Sequence, residues 1–358
     1  MLGYIFIIIA ILAFGVLIAV HELGHFTAAK LLGVKVNEFA IGMGPKLLSK
    51  KGKETVYSWR VFPFGGFCSM EGEHEEVDDP RSFNAQKRWR RVVILLAGSV
   101  ANFIIAIIIV CVLTSGASGF AGTTLTDLTD GFPNRGEQGL MVGDTLVSIN
   151  GERLYYMNDF PTFMQFAKNG RIDLVIRRDG KLITYKDFPL ERREYLIDGQ
   201  IELRYGMSFN VIEATIGEQA KYVAYQSMHF VRLIRVSIAQ IFSGAAGFND
   251  ISGPVGIVDA MNTIGQEAAQ EDGMAAALSS IAFFMAFIGV NLAVMNMLPI
   301  PALDGGRILF VFLTWCIEKI IRRRLDPKYE GYVNTTAMVL LLGLMAVLLV
   351  NDVVKLVK

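Results

Sequence analysis

Four uncharged apolar runs set the terms for anything this chain can fold into. Tyr4–Val20 leads straight into His21-Glu22. Val92–Thr114 is uncharged for 23 residues, Met274–Leu303 for 30 and Val333–Asn351 for 19. A helix crossing a bilayer needs ~17–25 apolar residues, so each run qualifies, the first only if it continues past its histidines. Composition agrees: 53% of residues are hydrophobic, 19% are charged, and mean hydropathy is +0.43. The expected fold class is therefore membrane α-helical, with four transmembrane helices and polar regions between them. The first run lacks a basic segment ahead of it and ends in His-Glu instead of a small-residue cleavage site. It reads as a span, not a signal peptide. Ile308–Ile317, with 10 residues, reads as interfacial or as a helical extension.

Charge fixes the expected orientation. Residues 34–91 carry 11 Lys/Arg, among them Lys87, Arg88, Arg90 and Arg91 against the second span. Residues 307–332 carry six, including Arg322-Arg323-Arg324. Both loops fall on one side of a four-span chain, and the positive-inside rule puts them in the cytosol. The N-terminus, the C-terminus and the region 115–273 then lie outside, and spans one and three run in the same direction. Zero net charge gives no reason to expect nucleic acid as a partner. The three cysteines, Cys68, Cys111 and Cys316, are too scattered for a thiolate metal site or a disulfide framework.

The outer region divides in two. Residues 115–210 read as a β-rich domain with an Asn150-Gly151 turn, an Asp179-Gly180 hairpin and a short helix at Asp159–Ala167. The stretch Gly139–Gly151 resembles the core signature of a PDZ domain, which implies a groove where an extended peptide adds as a strand. Residues 211–273 contain an amphipathic helix over Gly217–Gly244. It could rest on the outer leaflet, close over a site or pack on the β-rich domain. His229 within it reads as a surface histidine.

The chemistry concentrates at His21-Glu22-Leu23-Gly24-His25. Residues i and i+4 share a helix face, so both imidazoles can reach one metal ion. Glu22 points ~100° away and is suited to take a proton from the attacking water. Ionisable side chains at the end of an apolar span are expensive, and their default reading is functional. A zinc site of this kind needs a third ligand. Asp304 is the candidate, because span three runs parallel to span one and brings it to the same inner depth, just after Pro299 and Pro301. An Asp-Gly turn at a membrane boundary is the plain alternative. His74 lies in the acidic run Glu71–Asp79 and reads as solvated. Asn291 and Asn296 within span three could contact substrate, stabilise an oxyanion or tie helices together.

With His21–His25 and Asn291–Arg307 in view, the chain resembles the site-2 protease family of intramembrane zinc metalloproteases. The match is nearest to the bacterial branch that cleaves anti-sigma factors and remnant signal peptides. Further matching segments are Glu38–Lys46, Pro63–Met70, Asn102-Phe103 and Ser252–Ile257. The resemblance implies His21, His25 and Asp304 as Zn2+ ligands, Glu22 as general base, and Asn291 and Asn296 as substrate-contacting residues. It also implies a membrane-associated β element over Val36–Met70 that holds substrate as an added strand, and a PDZ domain acting as a size filter. Substrates would be single-span membrane proteins or peptides pre-trimmed by another protease, cut near the cytosolic face of a bacterial inner membrane. The family's Ala-Gly-Pro reads Ala97-Gly98-Ser99 here. Implied domains are residues 1–114 with the first two spans, 115–210 the PDZ domain, 211–273 the helical region and 274–358 the last two spans. Competing readings are an inactive PDZ-containing receptor or scaffold and a metal transporter.

Overall fold

A computed structural model of the chain describes residues 2–73, 77–165, 167, 170–197, 200–244, 247, 252–322 and 328–357. His74, Arg323 and Arg324 lie outside the described residues. The chain divides into two compact units, Met1–Leu113 with Phe230–Lys358, and Thr114–His229.

The first unit is built on helices α1 (Leu2–Leu31), α2 (Arg88–Thr114), α5 (Pro254–Glu271), α6 (Met274–Asn296), α7 (Asp304–Ile321) and α8 (Lys328–Val357). Four of them, α1, α2, α6 and α8, contain stretches long and apolar enough to cross a membrane. The first run does continue past its histidines: α1 is one 30-residue helix. The third stops short of the expected Leu303. Pro299 and Pro301 lack amide protons, Ala302 sits at φ 76°, and the chain turns before restarting as α7. The short run Ile308–Ile317 is the body of α7, a separate helix that begins after the turn and does not extend α6.

α5 was not foreseen. Pro254 stands in its first turn behind Gly253, and it packs against α1 and α6 through Phe6, Ala10, Met261, Ala277 and Ile281. Its first amides are capped from α8: Asp352, 2% exposed, accepts from Gly253 N at 3.1 Å and Gly256 N at 2.9 Å.

Strands β1 (Val36–Lys51) and β2 (Val56–Met70) form a hairpin that folds on itself. Phe39 lies opposite both Cys68 and Tyr57, and Ala40 opposite both Phe67 and Ser58, so the start of β1 is flanked on two sides by β2. Gly42, Gly44 and Gly65, all near φ 86°, make the bends. Val34, Val36, Cys68, Met70, Phe83, Ile94 and Leu95 bury the hairpin against α1 and α2.

The second unit holds a sheet of order β10-β3-β4-β6-β7, from β3 (Gly119–Leu128), β4 (Thr145–Ile149), β6 (Arg171–Arg178), β7 (Lys181–Pro189) and β10 (Met207–Glu213). β5 (Glu152–Arg153) pairs with β4. β8 (Arg193–Ile197) and β9 (Gln200–Arg204) form a separate hairpin. Both expected turns are present, with positive φ at Asn150, Gly151, Asp179 and Gly180. The short helix α3 spans Asp159–Met164, and the amphipathic segment is α4 (Ile216–Phe242). The N-terminal half of α4 packs on this unit: Tyr222 stacks on Phe120 at 4.1 Å and Tyr225 on Tyr155 at 4.2 Å. The surface reading of His229 is corrected. It is buried, 2.5 Å from Asp159 of α3, because α4 turns its polar residues Gln226 and His229 toward α3.

Candidate metal centre

Among the described residues, His21, His25 and Asp304 form the group able to hold a metal ion. One turn of α1 separates the histidines, and their Nε2 atoms stand 3.1 Å apart. Asp304 opens α7, where the positive end of a helix favours a carboxylate. Its Oδ2 lies 3.1 Å from His21 Nε2 and 3.2 Å from His25 Nε2. The turn that delivers it is tight: a Cβ on Gly306 would meet Ile300 O at 2.1 Å, and one on Gly305 would meet Met297 O at 2.3 Å.

Three potential ligand atoms thus form a nearly equilateral triangle. Ligands ~2.0–2.1 Å from a tetrahedral zinc ion sit ~3.3–3.4 Å from one another, slightly outside these edges. Asp304 Oδ2 is buried with no well-directed hydrogen bond among the described residues, although two imidazole nitrogens face it. His25 is in the tautomer that metal binding needs. Its Nδ1 is 2.8 Å from the carbonyl of Ile94, an acceptor, so Nδ1 donates and Nε2 keeps its lone pair. Two His nitrogens, one carboxylate oxygen and an open fourth direction suit a catalytic zinc site.

The helices approach closely to make this possible. A Cβ on Gly24 would come 2.3 Å from the carbonyl oxygen of Ala97, and one on Gly98 would come 2.4 Å from His25 Nε2 and 2.7 Å from His21 Cε1. α2 therefore forms a backbone wall against both rings.

A cavity of about 540 Å³ opens beside the triangle and is lined by Glu22, Phe67–Met70, Asn102, Asn296 and Arg307 among others. Glu22 and Cys68 face each other across this one cavity. Asn296 Nδ2 stands 3.5 Å from His21 Nε2. Asn291, one and a half turns earlier on α6, is half-buried and is not among the lining residues. Arg307 and Glu73 pair at 2.6 Å, and Glu73 also accepts from the Met70 amide, tying the end of β2 to α7. Cys68 lines the same cavity, but burial pushes its thiol up to about 12, so it does not compete as a thiolate. Sequence reasoning missed the roles of Gly24, Gly98, Ile94 and Glu73. For Asn102 a signal existed, an amide inside an apolar helix.

Residues 9–344 match the family model described as peptidase family M50, the site-2 protease family. The chain belongs to peptidase family M50. Relatives extend the likeness over nearly the full length, each bearing the name "putative zinc metalloprotease". One from Clostridium acetobutylicum is 39% identical over 352 residues, covering 97% of each chain. Others from Clostridium perfringens and Fusobacterium nucleatum are 38% and 31% identical, each covering 98% of both chains. As a member of M50 the chain is a metalloprotease, its metal is zinc, and it acts on membrane proteins within the bilayer.

Proposed function

We propose that His21, His25 and Asp304 hold the zinc, that Glu22 is the general base, and that the substrates are single-span membrane segments cut near the cytosolic side. The observation that carries this reading is the ligand triangle opening onto the same cavity as Glu22, inside a frame of apolar helices. Bound zinc supplies an electrophile for a peptide carbonyl and lowers the pKa of a water molecule to ~7. Glu22 takes a proton from the attacking water at its carboxylate and returns it to the departing amine nitrogen. That carboxylate lines the cavity beside the ligand triangle. Asn296 offers amide protons beside His21, suited to a substrate carbonyl oxygen. Asn291 is proposed to contact substrate further along α6.

A peptide bond in an intact helix is sheltered by its own hydrogen bonds, so the substrate must be drawn out locally. Phe67–Met70 pairs with β1 and lines the cavity, and an extended substrate adds there as a further strand. Loop charge favours 34–91 and 307–332 in the cytosol of a bacterial cell, with both termini and the second unit outside the inner membrane.

Residues 115–210 are proposed to be a PDZ domain. In support, β10 pairs with β3 along one edge, and a cavity of about 1370 Å³ is lined by Phe160 and Pro161 of α3 together with Met207 and Phe209 of β10. Such a domain would admit only substrates already trimmed by another protease, of the anti-sigma-factor or remnant-signal-peptide type. A single-span reporter tests this with and without a folded outer domain. The trimmed form should be cut at least ~10-fold faster, ~1.4 kcal/mol of discrimination; equal rates would sink the filter.

A further inference from the structure

α2 brings to the site a side chain with no task in the proteolytic reading above. Asn102 is 0% exposed inside an apolar helix. Its Nδ2 stands 3.5 Å from Nδ1 of His21, while its Oδ1 has no hydrogen-bond partner among the described residues. The His21 contact is therefore what orients this amide.

That contact bears directly on metal binding, because the two nitrogens cannot both donate. If Nδ2 donates, the single proton of neutral His21 sits on Nε2 and points at His25 Nε2 and Asp304 Oδ2, each 3.1 Å away. His21 then has no lone pair to offer a metal. A half-turn of the amide places Oδ1 against Nδ1 instead. The proton moves to Nδ1, Oδ1 accepts it, and Nε2 is left bare. His21 then matches His25, whose Nδ1 already donates to the Ile94 carbonyl at 2.8 Å. Each ring would be fixed from α2, one by a backbone oxygen and the other by a side-chain oxygen two turns on.

We infer that Asn102 is a positioning residue for His21, its Oδ1 accepting the Nδ1 proton and so presenting Nε2 to zinc. This rests on the assignment of zinc to His21, His25 and Asp304. An apolar residue of equal size keeps the packing and removes the acceptor; an aspartate keeps the acceptor.

The test uses the full-length protein in detergent and its Asn102→Leu, Asn102→Asp and His21→Ala variants. Zinc affinity is read by chelator competition, and the metal-free protein's melting temperature reports folding. Asn102→Leu should weaken zinc ~10–100-fold, the usual effect of losing an outer partner of a ligand, with the metal-free melting temperature unchanged. Asn102→Asp should bind zinc at least as tightly as the parent. Parent-like zinc affinity in Asn102→Leu would overturn the inference. If Asn102→Leu fails to fold, Asn102→Asp decides alone, and weakening of ~10-fold or more there overturns it. His21→Ala separates the two levels. If it retains zinc at parent affinity, the metal site is wrongly assigned. If it loses zinc while Asn102→Leu does not, only the positioning role falls.

Discussion

His21 and His25 owe their convergence to what α2 lacks as much as to their own spacing. Gly98 leaves room for both rings, and a methyl group there would stand 2.4 Å from Nε2 of His25. Alanine is the better helix former by ~1 kcal/mol, so Gly98→Ala should not harm α2 itself. It should nevertheless displace a ring or the helix. We expect zinc content to fall and reporter cleavage to drop ~10²-fold, the usual penalty for a ~1 Å misplacement. Full zinc content at the parent rate would show the contact to be slack. At this scale the sequence was partly legible. The one-turn spacing of His21 and His25 identified their shared face, and parallel spans singled out Asp304. Gly98 and Ile94 could not be found that way, because their value depends on which face of α2 meets α1, and no local pattern encodes that.

At the scale of elements, the hairpin of β1 and β2 holds the rim of the cavity, and its charges are tied down. Burial alone would raise the Glu38 carboxyl. Hydrogen bonds from Ser58 at 2.6 Å, Arg60 at 2.8 Å and Lys46 at 3.0 Å outweigh it and hold the group near 2, below its ordinary 4.5. A carboxyl depressed by folding stabilises the hairpin above its unfolded pKa and loses that contribution as pH falls through the folded one. The hairpin's unfolding midpoint, followed by Trp59 fluorescence, should thus fall between pH 4.5 and about 2. Glu38→Gln should flatten that slope; an identical acid slope in the variant would assign the effect elsewhere. Glu54, also held near 2 by Lys30 and Arg81, acts in the same direction. The apolar spans and the two turns at Asn150 and Asp179 were readable from hydropathy and turn chemistry. The doubled pairing of β1 was not, since glycine bends rather than alternation set its register. α5 and the burial of His229 also escaped, because Asp352 and Asp159 reach them from distant sequence.

For the whole molecule, an apolar frame surrounds a buried cluster of two imidazoles and a carboxylate, an arrangement that bilayer burial would penalise heavily without a bound cation. Family membership supplies the metal and the reaction, and the fold gives each side chain its place. The most direct measurement is zinc stoichiometry together with cleavage of a single-span reporter, for the parent, Glu22→Gln and Asp304→Ala. Glu22→Gln should keep its zinc while cleavage falls ~10²–10⁴-fold, as expected for loss of a general base. Asp304→Ala should lose both zinc and cleavage. Parent-rate cleavage by Glu22→Gln would rule out Glu22 as the base, and full zinc in Asp304→Ala would rule out Asp304 as a ligand.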